Sequence, residues 1–153
     1  MDGDVYARLA QLGISVPPVV PPVAAYVPAV QTGGHVYVSG QLPMVEGSLA
    51  ATGLVGAEVS PEQAKDLARI CGINVLAAVE NLVGLGRVVK VVKIVGFVAS
   101  AAGFTGQPGV VNGASELLGE VFGEAGKHAR SAVGVSALPL NAPVEVEAIL
   151  EVA

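Results

Sequence analysis

HARSAVGVSALPLNAPVEVEAILEVA, residues 128–153, is two valine-rich runs separated by a stretch with two prolines, Pro139 and Pro143. Valine and isoleucine favour strands, and a proline between two such runs marks the turn. The expectation is a closing hairpin over 129–152, turning near Pro139 and Leu140. Side chains alternate along a strand. Val144, Val146, Ala148 and Leu150 therefore share one face, and Glu145, Glu147, Ile149 and Glu151 the other. In that hairpin Ala132 lies opposite Glu147 and Arg130 opposite Ile149, so Arg130 joins the glutamates. A slip of one residue would undo the arrangement.

This face has chemical potential. Glu145 and Glu147 would be about 7 Å apart. Their repulsion is about 0.6 kcal/mol in water and about 2.4 kcal/mol at an effective dielectric of 20. A half-buried pair of this kind keeps one carboxyl partly protonated, suited to passing protons near neutral pH. Arg130 stays charged and offers a bidentate grip on a carboxylate. The plainer reading is a solvated strand face, with Arg130 paired to one of the glutamates.

Beyond this stretch the composition sets limits. The chain has 153 residues, 52% hydrophobic and 14% charged, with mean hydropathy +0.65. One domain over 1–153 is expected, with residues 1–25 as an N-terminal helix and proline-rich arm. So much apolar surface on so small a chain predicts an obligate homo-oligomer. The most apolar stretch, VVKVVKIVGFVASAAGF, carries Lys90 and Lys93, so no membrane span is expected. The net charge is −5 and only eight Lys and Arg are present, so a nucleic-acid partner is not expected. Cys71 is the single cysteine, which excludes an internal disulfide or a cysteine-built zinc site. The acidic MDGD start lacks a positive n-region, and a reducing, cytoplasmic setting is expected.

Working toward the N-terminus, VVNGASELLGEVFGEAG (110–126) reads as an amphipathic helix, preceded by the loop AAGFTGQPG. VKIVGFVAS reads as a strand covered on both faces. Ser60, Pro61 and Gln63 are an N-cap, a first-turn proline and a capping-box partner. They open a helix of about 25 residues toward Gly84 and Gly86, with Cys71 as a core residue on its apolar stripe. Gly53–Val59 could add a short strand. YVPAVQTGGHVYVSGQLP reads as a hairpin turning at TGG, with His35 in the turn. SVPPVVPPVAA is an extended arm packed along its own sheet or a neighbour's. DVYARLAQL is a short helix ending at Gly13. The order predicts an α+β layer: a mixed sheet with two long helices on one face.

His35 and His128 lack companions at ligand spacing, so no metal is expected. No nucleophile elbow, phosphate loop or dinucleotide fingerprint occurs.

ARSAVGVSALPLNAPVEVEAI resembles the C-terminal signature of the RidA-like family of reactive-intermediate deaminases, also called endoribonuclease L-PSP or YjgF-like proteins. VYVSGQLP resembles that family's first hairpin and VVKIVGFV its central strand, so the likeness runs over about residues 26–153. The N-terminal extension is similar to a longer branch of the family. The resemblance implies a chorismate-mutase-like fold, three subunits forming a central barrel, and sites at the subunit junctions. It implies cofactor-free hydrolysis of small enamine or imine carboxylates, of the 2-aminoacrylate type, to 2-keto acids and ammonia. By the same resemblance Arg130 grips the substrate carboxylate and Glu145 positions water. Tyr26, Ser39, Gly40 and Asn112 match substrate-binding positions. Ala132 stands where cysteine is common and supplies a backbone N–H. Each has a structural alternative: Tyr26 as a packed aromatic, Ser39 and Gly40 as a strand end, Asn112 as a helix-start residue. Two further functions stay open: a non-enzymatic trimer that binds a small carboxylate or regulates a partner, and a ribonuclease.

Overall fold

Ser60 opens the longest helix as its sequence predicts, its hydroxyl accepting from the Gln63 backbone N–H at 3.1 Å. The computed structural model describes residues 2–19 and 24–153. Among them, in chain order, are α1 (Asp2–Gln11), β1 (Ala29–Thr32), β2 (His35–Gln41), β3 (Met44–Val45) and β4 (Ser48–Leu49). Then follow α2 (Pro61–Leu82), β5 (Val88–Ala99), α3 (Gln107–Phe122), β6 (Ala129–Val135) and β7 (Val144–Val152). One five-stranded sheet has the order β1-β2-β7-β5-β6, with β6 parallel to β5 and the other pairs antiparallel. The helices α2 and α3 pack on each other and on one face of the sheet, the expected α+β layer.

Between them lies the core. Leu67, Cys71, Val75, Leu76 and Val79 come from α2, and Val111, Ala114, Leu117 and Leu118 from α3. Val36, Val38, Val91, Ile94, Val144, Val146 and Leu150 come from the sheet. The layers approach closely because glycine stands at the crossings. A Cβ on Gly113 would strike the Lys65 carbonyl oxygen of α2, and one on Gly96 would strike the Val111 side chain.

The closing hairpin does not form. β6 and β7 lie on opposite edges of β5, so β5 separates them. The α3 crossover returns the chain parallel to β5, a connection that fixes β6 on that edge. The segment between β6 and β7 then carries the chain past the end of β5, with Leu140 and Asn141 at positive φ. Ser100 donates to Val135 on one side of that end, and Ala99 donates to Pro143 on the other. Arg130 is therefore in register with Ile94, and through it with Ala148, not with Ile149; Ala132 aligns with Gly96 and Val146, not with Glu147. Ile94 and Ala148 are buried under the helices, so Arg130 points to the helix side. Glu145 and Glu147 pair with Phe97 and Val95 and point to the other face. The expected common face of Arg130 and the glutamates is thus corrected.

Smaller differences have local causes. The small hairpin is β3–β4, not Gly53–Val59, which makes only isolated bridges at Val55. Glu46 and Gly47 both have positive φ, as a tight two-residue hairpin turn requires. α2 stops at Leu82, before Gly84 at φ 87°, and α3 starts at Gln107, shortening the loop before it. His35 is the first residue of β2, opposite Thr32, just after the turn. Of the proline arm, residues 20–23 lie outside the described residues; Ile14 and Val16 before them pack on the core.

β5 is covered on one face only. Val30, Tyr37 and Val133 are 49%, 43% and 43% exposed on the open face of the sheet, which nothing in the described chain covers. No helix of the described residues is long and apolar enough to cross a membrane.

Candidate functional site

Two clusters of polar side chains form, on opposite faces of the sheet. The first is built on α3 and the edge strand β6. Asn112 and Ser115 are one helical turn apart on α3 and so face the same way. Both meet Arg130, whose Nη1 donates to Asn112 Oδ1 at 2.7 Å and to Ser115 Oγ at 3.2 Å. His128 completes the group, with Nε2 2.9 Å from Ser115 Oγ and Nδ1 2.6 Å from the Gly126 carbonyl oxygen. Ala132, two residues after Arg130, is on the same side of β6.

Arg130 is partly buried and has no carboxylate partner among the described residues. The reading that pairs it with a glutamate of the last strand therefore fails within the described chain. Nη1 has two protons and both are engaged. Nε–H and the two Nη2 protons have no partner among the described residues. These donors are the side-on pair that accepts a planar carboxylate by two parallel bonds. Asn112 uses its oxygen on Arg130, and its amide N–H donors have no partner among the described residues.

The second cluster is built on β2, β7 and the segment before β1. β2 is irregular between Val38 and Gln41, so Ser39 and Gly40 bulge where the ladder to β7 is interrupted. Glu145 fills the space this leaves. A Cβ on Gly40 would collide with the Glu145 carboxylate and lie 2.8 Å from its Cδ. Ser39 ties the preceding segment down: its Oγ donates to Val27 O at 2.8 Å and its N–H to Pro28 O at 2.8 Å. Tyr26, 58% exposed, stands next to that anchor. A hollow of about 310 Å³ opens beside Ser39 on the uncovered face, lined also by Tyr37, Lys93, Val95, Glu147 and Ile149.

Burial lifts the Glu145 carboxyl above the ordinary carboxylate range, and the charge of Glu147 adds to it. Spacing alone pointed to the Glu147 repulsion; desolvation is the larger cause. Cys71 lies in the core beneath, its thiol pushed well up by burial and then by the Glu145 charge. It is held neutral and packed, not poised as a nucleophile. Among the described residues no group of three His, Cys, Asp or Glu could hold a metal ion.

The carried-over residues thus fall into two sets: Arg130, Asn112 and Ala132 in one, and Tyr26, Ser39, Gly40 and Glu145 in the other. Two strand spacings and three residues of register put Arg130 and Glu145 about 14 Å apart at Cα, on opposite faces. Ser115 was not singled out from the sequence, and His128 was weighed only as a metal ligand. A signal existed: Ser115 follows Asn112 at helical spacing, and His128 precedes Arg130 at strand spacing.

The layered α+β fold defines a class of protein, and the family comparison agrees. Residues 6–152 match the model of the family described as "YjgF/chorismate_mutase-like, putative endoribonuclease", and the chain belongs to it. This is the RidA-like family that the C-terminal signature resembles. The chain is 44% identical over 151 residues to Protein TCP17 of Trypanosoma cruzi, covering 97% of this chain and 94% of that protein. It is similar to the crystal structure of Atu1372 from Agrobacterium tumefaciens, a protein of unknown function, at 44% identity and TM-score 0.90, covering 99% of this chain and 93% of that one. It is also similar to the structure of Escherichia coli TdcF with bound serine, at 26% identity and TM-score 0.60, covering 90% and 94% of the two chains.

Proposed function

We propose that the protein is a homotrimeric deaminase that hydrolyses small enamine and imine carboxylates to 2-keto acids and ammonia, each site being shared by two copies. The observation that carries this reading is Arg130: a partly buried guanidinium with Nε and Nη2 unengaged among the described residues, and its other nitrogen fixed by Asn112 and Ser115. Such a group awaits an anion from outside the chain. In one chain it faces away from Glu145. Contact between the β6 edge of one copy and the Glu145 side of the next would bring the two clusters together. A ring of such head-to-tail contacts closes with as many sites as copies, and it covers the apolar open face.

In that site Arg130 and the Asn112 amide hold the substrate carboxylate, with the Ala132 N–H beside them. Tyr26, Ser39 and Gly40 wall the pocket and leave room for Glu145. Glu145 as carboxylate takes a proton from water as its oxygen bonds to the imine carbon. The proton passes to the imine nitrogen, giving a carbinolamine; the same carboxylate then carries the hydroxyl proton to that nitrogen, and the C–N bond breaks as the C=O forms, releasing ammonia and a 2-keto acid. A carboxyl held above its usual range by burial suits both halves of that exchange. Positioning supplies the rest of the acceleration.

TdcF with bound serine favours a second reading, in which the same pocket binds a small carboxylate without turnover. The acidic balance, −5 overall, speaks against ribonuclease activity despite the family description. The test is keto-acid release from 2-aminoacrylate generated in situ, beside calorimetric titration with 2-oxobutyrate. The proposal expects turnover, lost in Arg130→Ala while the assembly survives. Unchanged rates in Arg130→Ala reject it, and binding without turnover selects the second reading.

A further inference from the structure

We infer that His128, acting through the Ser115 hydroxyl, is a positioning residue that decides which Arg130 donors face the ligand. The inference rests on the proposed carboxylate-binding role of Arg130. Its basis is a chain of hydrogen bonds in which, with the His128 ring neutral, every proton has one possible place. The Gly126 carbonyl oxygen only accepts, so the His128 Nδ1 at 2.6 Å from it carries the proton. In the neutral ring Nε2 is then a lone pair. Ser115 Oγ, 2.9 Å from Nε2, must donate to it. With its proton so committed, Ser115 turns a lone pair to Arg130 and accepts from Nη1 at 3.2 Å. Asn112 Oδ1 takes the other Nη1 proton at 2.7 Å. Nη1 is saturated, rotation of the guanidinium is stopped, and Nε and Nη2 are presented as a fixed pair.

Without the His128 acceptor, the Ser115 side chain is no longer held in place and can turn so that its proton meets a backbone carbonyl of its own helix. It would then stop accepting from Nη1, and the guanidinium would lose one of its two anchors. Among the described residues His128 makes no hydrogen bond to Arg130, so its effect on the guanidinium's donors passes through Ser115.

Two replacements of His128 separate this role from a purely structural one. Glutamine reaches as far as Nε2 and keeps an acceptor for Ser115, but gives up the bond to Gly126. Asparagine keeps a donor for Gly126 and cannot reach Ser115. The experiment is titration of the intact protein with 2-oxobutyrate, with KM and kcat for in situ 2-aminoacrylate, in Ser115→Ala, His128→Asn, His128→Gln, Ser115→Ala/His128→Asn and Arg130→Ala. Melting curves confirm that each variant is folded. Expected is a Kd weakened about tenfold in Ser115→Ala and His128→Asn, the scale of one charge-assisted hydrogen bond, and within about twofold of the parent in His128→Gln. KM follows Kd, and kcat falls far less. The double variant is no weaker than Ser115→Ala alone, since both lesions break one chain.

The reverse order of His128→Asn and His128→Gln would assign His128 to holding Gly126 and overturn the inference. So would an unchanged Kd in Ser115→Ala, or single effects that multiply in the double variant. If Arg130→Ala loses binding while the Ser115 and His128 variants keep it, only this inference fails. If Arg130→Ala binds like the parent, or the parent does not bind at all, the proposed function fails with it.

Discussion

Glu145 is the residue on which the proposed chemistry turns, and two substitutions probe it separately. Burial, then Glu147, raises its folded pKa above the unfolded value, so the fold prefers the neutral carboxyl. Its contribution to stability is whole below the unfolded pKa and is lost as pH rises through the folded one. Glu145→Gln should therefore melt higher than the parent near neutral pH, with the gap closing below about pH 4. A Glu145→Gln protein less stable than the parent at pH 7 would contradict the assignment. Gly40→Ala acts on the same carboxylate from outside. Gly40 is not among the positive-φ residues, so alanine brings no backbone strain, but its methyl occupies the place of the Glu145 carboxylate. That end of a flexible side chain can swing away. Deaminase activity should drop by about a hundredfold, the lower range for a displaced acid–base group, with little change in melting temperature. Activity within a factor of about two of the parent would remove Glu145 from the proton path.

At the scale of elements the helices and their join decide what the sequence reveals. The Ser60 cap, the apolar stripe of α2 with Cys71, and the β1–β2 turn were legible because each is fixed by neighbours within a few residues. The pairing of β6 with β7 was misread because two adjacent strands with a proline between them look the same whether they pair or flank a third. That choice is made by α3, which returns the chain parallel to β5. The error moved Arg130 to the wrong face, while the residue itself, matched by motif, remained a candidate. Ser115 was passed over and His128 weighed only as a metal ligand, because their partners are set by that same crossover. The α2–α3 contact also makes a prediction of its own. Gly113→Ala places a methyl on the Lys65 carbonyl, which cannot move without its helix. Urea unfolding should show a loss of about 1–3 kcal/mol or more, the cost of overpacking. Gly119→Ala, in the same helix with nothing within 4 Å of its Cβ position, should instead gain about 0.5–1 kcal/mol. Equal effects at the two positions would mean that α2 and α3 are not in such close contact.

For the whole molecule the question is what covers the open sheet. Val30, Tyr37 and Val133 lie there beside Val95, Phe97 and Ile149, an apolar surface interrupted by Lys93 and the glutamates. In the proposed assembly further copies of the chain cover this face. Val133→Glu should give a folded monomer in sedimentation, without deaminase activity, because one copy holds only half of each site. An active Val133→Glu monomer would show that the halves do not need each other. The most direct test mixes two dead proteins, Arg130→Ala and Glu145→Gln, refolded together so that the copies assort at random. With the site shared, a junction that takes Arg130 from one copy and Glu145 from the next is intact, and about one quarter of the parent's activity should return. Should the mixture stay as inactive as its components while mixed assemblies form, both residues would belong to a site within one chain, and the shared-site account would be wrong.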